Sequence, residues 1–271
     1  MLMKTHFILR RIASVLGIVL ALTFVNVANG QSEPPKPTGE DKAEQIIQRT
    51  LETIGGSAYQ NVRSVIGRGF FTQYKEGQSG IPSTFVDYII FPDRERTEFK
   101  GPEGKIIQTN TGDTGWLYDG AAKSIKDMTK AQVEDFKRSL RSSMDYLLRG
   151  SWRKDGAKLS YVGRREAGLA RRNEVVRLTY PDGFTVEFEF GAKDYLPMKI
   201  LYKRKTADDV EIAEEDRLAQ HLKIEGITVP FVIDHYSAGA QTSRINYQSI
   251  EFNSPIADSL FARPASLKAV K

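Results

Sequence analysis

Residues Thr84 to Lys100 read TFVDYIIFPDRERTEFK. An apolar run breaks at Pro92-Asp93 and a charged run follows, so two readings compete: a catalytic cluster of acids and arginines, or two strands joined at the proline. With Phe91 ending one strand and Pro92-Asp93 turning the chain, Arg94, Arg96 and Glu98 fall on one side of the returning strand. Glu95, Thr97 and Phe99 fall on the other. Cross-strand pairing satisfies such charges on a wet sheet face, each exposed pair stabilising by about 0–1 kcal/mol. A glycosidase-type pair of carboxylates would need a polar substrate groove, which the sequence does not supply. The stretch is therefore read as a hairpin with its charges on the wet side.

The same alternation spreads in both directions. Before and after the hairpin come VRSVIGRGFFTQYK (62–75), GKIIQTN (104–110), TGWLYDG (114–120) and AKSIKDM (122–128), so residues 62–128 form a meander of six short strands. Strands resume as AKLSYVGRREA (157–167), NEVVRLTY (173–180), FTVEFEF (184–190), LPMKILYKR (196–204), VEIAEEDRLAQH (210–221), VPFVIDHYS (229–237) and QTSRINYQSIEF (241–252). In FTVEFEF, Phe184, Val186, Phe188 and Phe190 alternate with Thr185, Glu187 and Glu189, which gives one dry and one wet face. Two helices interrupt the pattern. DKAEQIIQRTLETI (41–54) sets Ile46, Ile47, Leu51 and Ile54 at helical spacing and stops at Gly55-Gly56. From Thr129 to about Arg149, a Thr129/Gln132 capping box opens a helix whose apolar face carries Val133, Phe136, Leu140, Met144, Leu147 and Leu148. This is mainly β, not βαβ: a strongly curved antiparallel sheet wrapped round its own apolar face, with helices over the open side.

The first thirty residues place Lys4, Arg10 and Arg11 before an apolar run from Ile12 to Val27 and end in Ala28-Asn29-Gly30. That layout is a secretory signal peptide (1–30), with an uncleaved anchor helix as the alternative. A Pro-rich tether (31–40) follows, and residues 41–271 are expected to form a single domain. Three of the 39 basic residues lie in the signal and none of the 34 acidic ones, so the net charge falls from +5 to +2 beyond it. Such a near-neutral balance gives no reason to invoke nucleic acid. The chain has no cysteine, which excludes disulfides, thiol chemistry and a lipidated N-terminal cysteine. The expected location is the periplasm.

Chemistry-bearing constellations are sparse. His221 and His235 stand fourteen residues apart with no second histidine at ligand spacing, so each is read as a surface or hydrogen-bonded histidine. The six acids of ADDVEIAEEDR (207–217) lack the glycine and oxygen spacing of a calcium loop. RREAGLARR (164–172) is a basic bend, read as a wet hairpin turn in preference to a contact with anionic lipid. Nucleophile elbows, phosphate-cradling loops and dinucleotide fingerprints do not occur. No catalytic residue, metal or cofactor is therefore assigned, and the protein is not expected to be an enzyme.

What remains is aromatic weight on the sheet faces. Phe70, Tyr74, Phe85, Tyr88, Phe91, Trp116, Tyr118, Phe184, Phe188 and Phe190, with Phe231 and Tyr236, either fill a core or line a cavity. A sheet with this many strands encloses more volume than its side chains fill, so they are taken as cavity candidates, lidded by Val133, Phe136, Leu140, Met144 and Leu147.

The order of segments, from the early helix through YIIFPDRERTEFKGPEGKIIQTNTGDTGWLYD to the terminal EFNSPIADSLFARP, resembles the periplasmic lipoprotein-carrier (LolA-like) family, closest to its outer-membrane lipoprotein-sorting members. The matching positions are Pro92, Arg94 or Arg96, Ile106-Ile107, Gly112 or Gly115, Trp116, Tyr118 and Asp119, then Phe261 and Pro264. The resemblance implies an unclosed β-barrel with helical lids. It also implies a cavity for an acylated lipoprotein or lipid, no cofactor, an envelope receptor as a further partner, and a monomer. Carriers of that family have a lid-latching arginine just before the strand-ending proline; here the residue is Phe91. A carrier and an envelope interaction or lipid-sensing module on the same fold both remain open.

Overall fold

The structure, a computed structural model, describes residues 39–102, 104–205 and 210–270. The expected signal peptide, nearly all of the tether and the start of the acidic ADDVEIAEEDR hairpin lie outside the described residues.

Helix α1 (Gly39–Ile54) opens two residues before the expected domain boundary, and a short α2 (Ser57–Gln60) follows it. Seven strands come next: β1 (Ser64–Lys75), β2 (Gln78–Ser79), β3 (Ser83–Ile90), β4 (Arg94–Gly101), β5 (Gly104–Thr111), β6 (Gly115–Asp119) and β7 (Ser124–Asp127). After helices α3 (Lys130–Ser142) and α4 (Met144–Leu148), the chain continues as β8 (Lys158–Glu166), β9 (Arg172–Thr179), β10 (Thr185–Gly191) and β11 (Pro197–Lys205). It ends in β12 (Glu211–Ile224), β13 (Ile227–Ser237) and β14 (Ala240–Phe252). One antiparallel sheet takes the order β7-β6-β5-β4-β3-β1-β14-β13-β12-β11-β10-β9-β8, with the two-residue β2 paired only to β1. β7 and β8 end that order without pairing to each other, so the barrel is unclosed, as expected.

Local chemistry fixes the corners. The β9–β10 turn closes at Tyr180-Pro-Asp-Gly, where Gly183 takes φ +84° and its N–H donates to the Tyr180 carbonyl at 3.0 Å. Where β1 bulges against β14, a Cβ on Gly69 would stand 2.1 Å from the Asn246 carbonyl oxygen, so only glycine permits that approach.

Half of the concave face is filled. Ala43, Ile46, Ile47, Leu51 and Ile54 of α1 join a core with Leu159, Val176, Leu178, Val186 and Phe188 of β8–β10, closed by Leu147, Leu148 and Trp152. α1 also reaches β13, where Ile227 joins the same core, and the lid segment sits over free space along the strands from β11 round to β3.

Two expectations change here. The lid is two helices and not one, because Ser143 leaves the helical region (ψ 149°) and its hydroxyl caps α4 by accepting from the Tyr146 N–H at 3.2 Å. The hairpin at Pro92 is present, with Ile90 opposite Arg94, but the Arg96 side is not wet. Arg96 is 4% exposed, covered by the C-terminal segment: it donates to the Leu260 carbonyl at 3.0 Å, pairs with Glu98 at 2.7 Å and stacks over Trp116.

Candidate functional site

Three adjoining chambers that share lining residues lie between the lid and the inner sheet face, of about 140, 150 and 380 Å³. The first is mixed in character, with Phe136 and Leu140 of α3 above Ile89, Phe91, Glu95 and several serines. The second is apolar, walled by Val65, Ile89, Phe91, Ile233, Ile250 and Phe252. The third runs under Met144 and Leu148 along Ile200, Leu218, Val229 and Ile233, and its volume alone falls within the roughly 300–1,000 Å³ usual for ligand pockets.

Asp145 of α4 borders all three chambers. Its Oδ1 accepts from the Tyr59 hydroxyl at 2.7 Å and from Arg149 Nε at 3.2 Å. Burial, reinforced by the Asp145 charge, raises the Tyr59 phenol well above its ordinary pKa, so it remains a donor. Arg149 is held three ways: by Asp145, by the Val62 carbonyl at 3.0 Å, and by stacking over Phe91 at 3.8 Å and Tyr59 at 4.9 Å from their ring centroids. The lid is also tied at its middle. Arg141 makes a bidentate pair with Asp182 at 2.8 and 2.9 Å, lies 3.9 Å over the Tyr180 ring, and accepts at its carbonyl from the Tyr180 hydroxyl. An exposed Lys137–Asp113 pair at 2.9 Å holds α3 to the β5–β6 turn.

Two polar groups interrupt the inner apolar face. His235 Nδ1 and Asp216 Oδ1 stand 2.5 Å apart in the third chamber. Burial lowers the His235 pKa, but its hydrogen bond to Asp216 and that carboxylate's charge outweigh the loss and leave it raised. On β3 and β4, Asp87 and Glu95 face inward around the Thr97 hydroxyl, which donates to Asp87 at 2.8 Å. No cation pairs with either among the described residues, and burial pushes both carboxyls up.

The candidate residues divide by face. Phe91 lines the first two chambers. Phe85 is on the inner face but packed, its ring centroid 5.4 Å from that of Tyr247 and 6.4 Å from that of Phe99. Phe188 and Phe190 are wholly buried in the core under α1, and Phe184 packs between Tyr180 and Tyr202. Phe70, Tyr74, Tyr88, Trp116 and Tyr118 fall on the outer face: Trp116 donates to the Phe261 carbonyl at 3.0 Å beneath the C-terminal segment, and Phe70 is 37% exposed. Of the other two aromatics, Phe231 packs near Tyr247, and Tyr236 lies under the Arg217 guanidinium. In the lid, Phe136 and Leu140 roof the first chamber and Met144 the third, Leu147 joins the core, and Val133 points to an outer cleft beside Asp113. Sequence reasoning missed the aliphatic lining, Ile89, Val229, Ile233 and Leu218, as well as the Tyr59–Asp145–Arg149 node. Alternation around Ile233 in VPFVIDHYS was the signal for the former; nothing in the sequence signals the node.

His221 and His235 are not brought together, and His221 Nε2 is buried without a partner. Among the described residues no group of three or more metal-ligating side chains is present, and no helix is long and apolar enough to cross a membrane.

No family model matches this sequence, and neither does any curated protein sequence. Solved structures match its fold. A DUF1329 family protein from Desulfovibrio piger superposes at a TM-score of 0.58 and 11% identity, over 81% of this chain and 97% of the other. A LolA superfamily protein from Nitrosomonas europaea gives 0.55 at 12% identity, with the same coverage of both chains. An outer membrane lipoprotein-sorting protein domain from Vibrio parahaemolyticus gives 0.53 at 11%, again over 81% and 97%. At these identities the likeness carries architecture alone, and the chain has the LolA-like fold: one unclosed antiparallel barrel with helices over its open side.

Proposed function

We propose that this protein is a periplasmic binding or carrier protein for an acylated ligand, a lipoprotein or a lipid, held non-covalently and without catalysis. The observation that carries the reading is the run of chambers under a lid, apolar in its second and third parts, on strands whose neighbours β8–β10 are by contrast fully packed. An acyl chain of about fifteen methylenes buried at ~0.8 kcal/mol each would gain on the order of 10 kcal/mol. The exposed ion pairs that tie α3 cost far less to break, each worth about 0–1 kcal/mol. A chain could therefore displace the lid and still bind tightly. The His235–Asp216 pair serves this reading as a hydrogen-bonding group at the cavity wall, next to no nucleophile that the sequence singles out.

The test is displacement of a fluorescent fatty acid from the purified protein, with native mass spectrometry of protein incubated with palmitate. Ile233→Trp, which fills the wall shared by the second and third chambers, should abolish binding while the protein stays folded. Unaltered binding by that variant, or no uptake by the native protein, would sink the proposal.

A further inference from the structure

The basic bend RREAGLARR forms the tip of the β8–β9 hairpin, and the cavity makes no use of it. Leu169 at its apex is 93% exposed, the highest value among the large exposed apolar side chains of the described residues. It is not held out by slack chain. The Arg171 N–H donates to the Gly168 carbonyl at 2.9 Å, the Ala167 N–H donates to the Arg171 carbonyl at 3.0 Å, and Gly168, Leu169 and Ala170 all take positive φ, at +76°, +49° and +56°. A leucine and an alanine disfavour that conformation, so the tip keeps its apolar apex outward at some conformational expense.

The charges around the apex are unequal. Arg164 pairs with Glu174, Arg165 with Glu187 and Glu189, and Arg172 with Glu166. Arg171, beside the apex, makes no ion pair among the described residues. Nor does Lys193, in the β10–β11 turn, which is bonded to the hairpin through the Ala192 N–H and the Arg172 carbonyl at 2.9 Å. Asp194 in that turn is engaged by the Leu196 N–H. Arg171 and Lys193 thus stand without an ion pair among the described residues near one protruding leucine, with the Asp194 carboxylate next to Lys193.

We infer that this tip docks on an anionic lipid surface, Leu169 entering the headgroup boundary and Arg171 and Lys193 lying at the phosphates. An apolar apex framed by cations matches that partner on both counts, since acyl tails accept the leucine and anionic headgroups the charge. The site lies outside the chambers, so the inference stands apart from the ligand proposed for them.

The experiment is flotation of the purified protein with vesicles of phosphatidylcholine alone or mixed equally with phosphatidylglycerol, at low and high salt. Binding is expected to the mixed vesicles only, falling with salt, and weakened about five-fold by Arg171→Gln or Lys193→Gln, the effect of one cation near such a surface. Leu169→Asp should weaken it at least as much, and the emission of Leu169→Trp should shift to the blue with mixed vesicles alone. Because all three positions are solvent-exposed, unchanged thermal midpoints and unchanged fatty-acid uptake should accompany these losses. The inference is overturned if the native protein does not float at low salt, if it binds both vesicle types equally, or if the substitutions leave binding as it was.

Discussion

The guanidinium of Arg149 lies 3.8 Å from the centroid of the Phe91 ring, and both side chains stand in the wall shared by the first two chambers. A ligand in either chamber would lie against this stack, and Arg149 is fixed there by the Val62 carbonyl and by Asp145. The position before Pro92, where the resembled carriers place a cation, is filled by an aromatic ring that receives a cation from the lid segment.

Arg149→Ala should destabilise the fold by about 2–3 kcal/mol, since it removes the stack and a charge-assisted hydrogen bond and leaves Asp145 with Tyr59 as its partner. Faster uptake of a fatty-acid probe should accompany the loss. Phe91→Leu keeps the apolar volume and should cost only about 1 kcal/mol, the worth of the stack. Denaturant titration and stopped-flow uptake measure the two effects, and an Arg149→Ala variant with native uptake kinetics would show that the stack gates nothing.

A second prediction separates the outer face from the cavity. Phe261 is 4% exposed over β4 and β6, where its carbonyl holds Trp116 and the neighbouring Leu260 carbonyl holds Arg96. Phe261→Ala should cost about 3–5 kcal/mol, as a buried aromatic does, and leave fatty-acid affinity unchanged. Trp116 emission should likewise not respond to ligand. A response of Trp116 to ligand, or loss of affinity in the variant, would return this face to the site.

These two predictions mark where the sequence was legible. The strands, the Pro92 turn and both long helices could be read because period-2 and period-3.6 patterns are local. Even the filled half of the barrel is foreshadowed, since Phe188 and Phe190 alternate with acids and meet an α1 whose apolar stripe needs a partner. Alternation assigns residues to a face, however, and does not say what covers it. Trp116 and Arg96 are buried by residues about 145 and 164 positions further along the chain, so no local pattern distinguishes them from a cavity lining or a wet face. The break at Ser143 had a local signal, a serine three residues before Tyr146, but the helical spacing that continued through Leu147 concealed it.

A third prediction concerns His235. Its pKa in the fold is raised above 6.5 by Asp216 despite burial, so the pair stabilises the protein fully below about pH 6.5, and the contribution is lost as pH rises through the folded value. Both side chains are partly exposed, at 32% and 23%, so solvent screening limits the effect to within about 1 kcal/mol. The stability difference between the native protein and His235→Gln should therefore be larger in mildly acid than in alkaline buffer. A difference independent of pH would mean that the imidazole is neutral throughout.

The last prediction runs in the opposite sense. Asp87 is 8% exposed and shares the Thr97 hydroxyl with Glu95, and burial raises both carboxyls above their ordinary values of 3.8 and 4.5, with the Glu95 charge adding to the effect on Asp87. The folded protein therefore holds protons that the unfolded chain releases first. The contribution of these two groups to stability is highest below those ordinary values and falls as pH rises from them through the raised folded values, which is the reverse of a salt-bridged acid. Replacing Asp87 by Asn or Glu95 by Gln keeps an acceptor for Thr97 and removes the cost of ionising inside the barrel. Each variant should gain on the order of 1 kcal/mol at neutral pH, and the gain should shrink toward zero in strongly acid buffer. Thermal unfolding across that range reads the effect directly. If both variants lose stability at neutral pH, the carboxylates are ionised there and satisfied by a partner, and the inner face of β3 and β4 is a charged site.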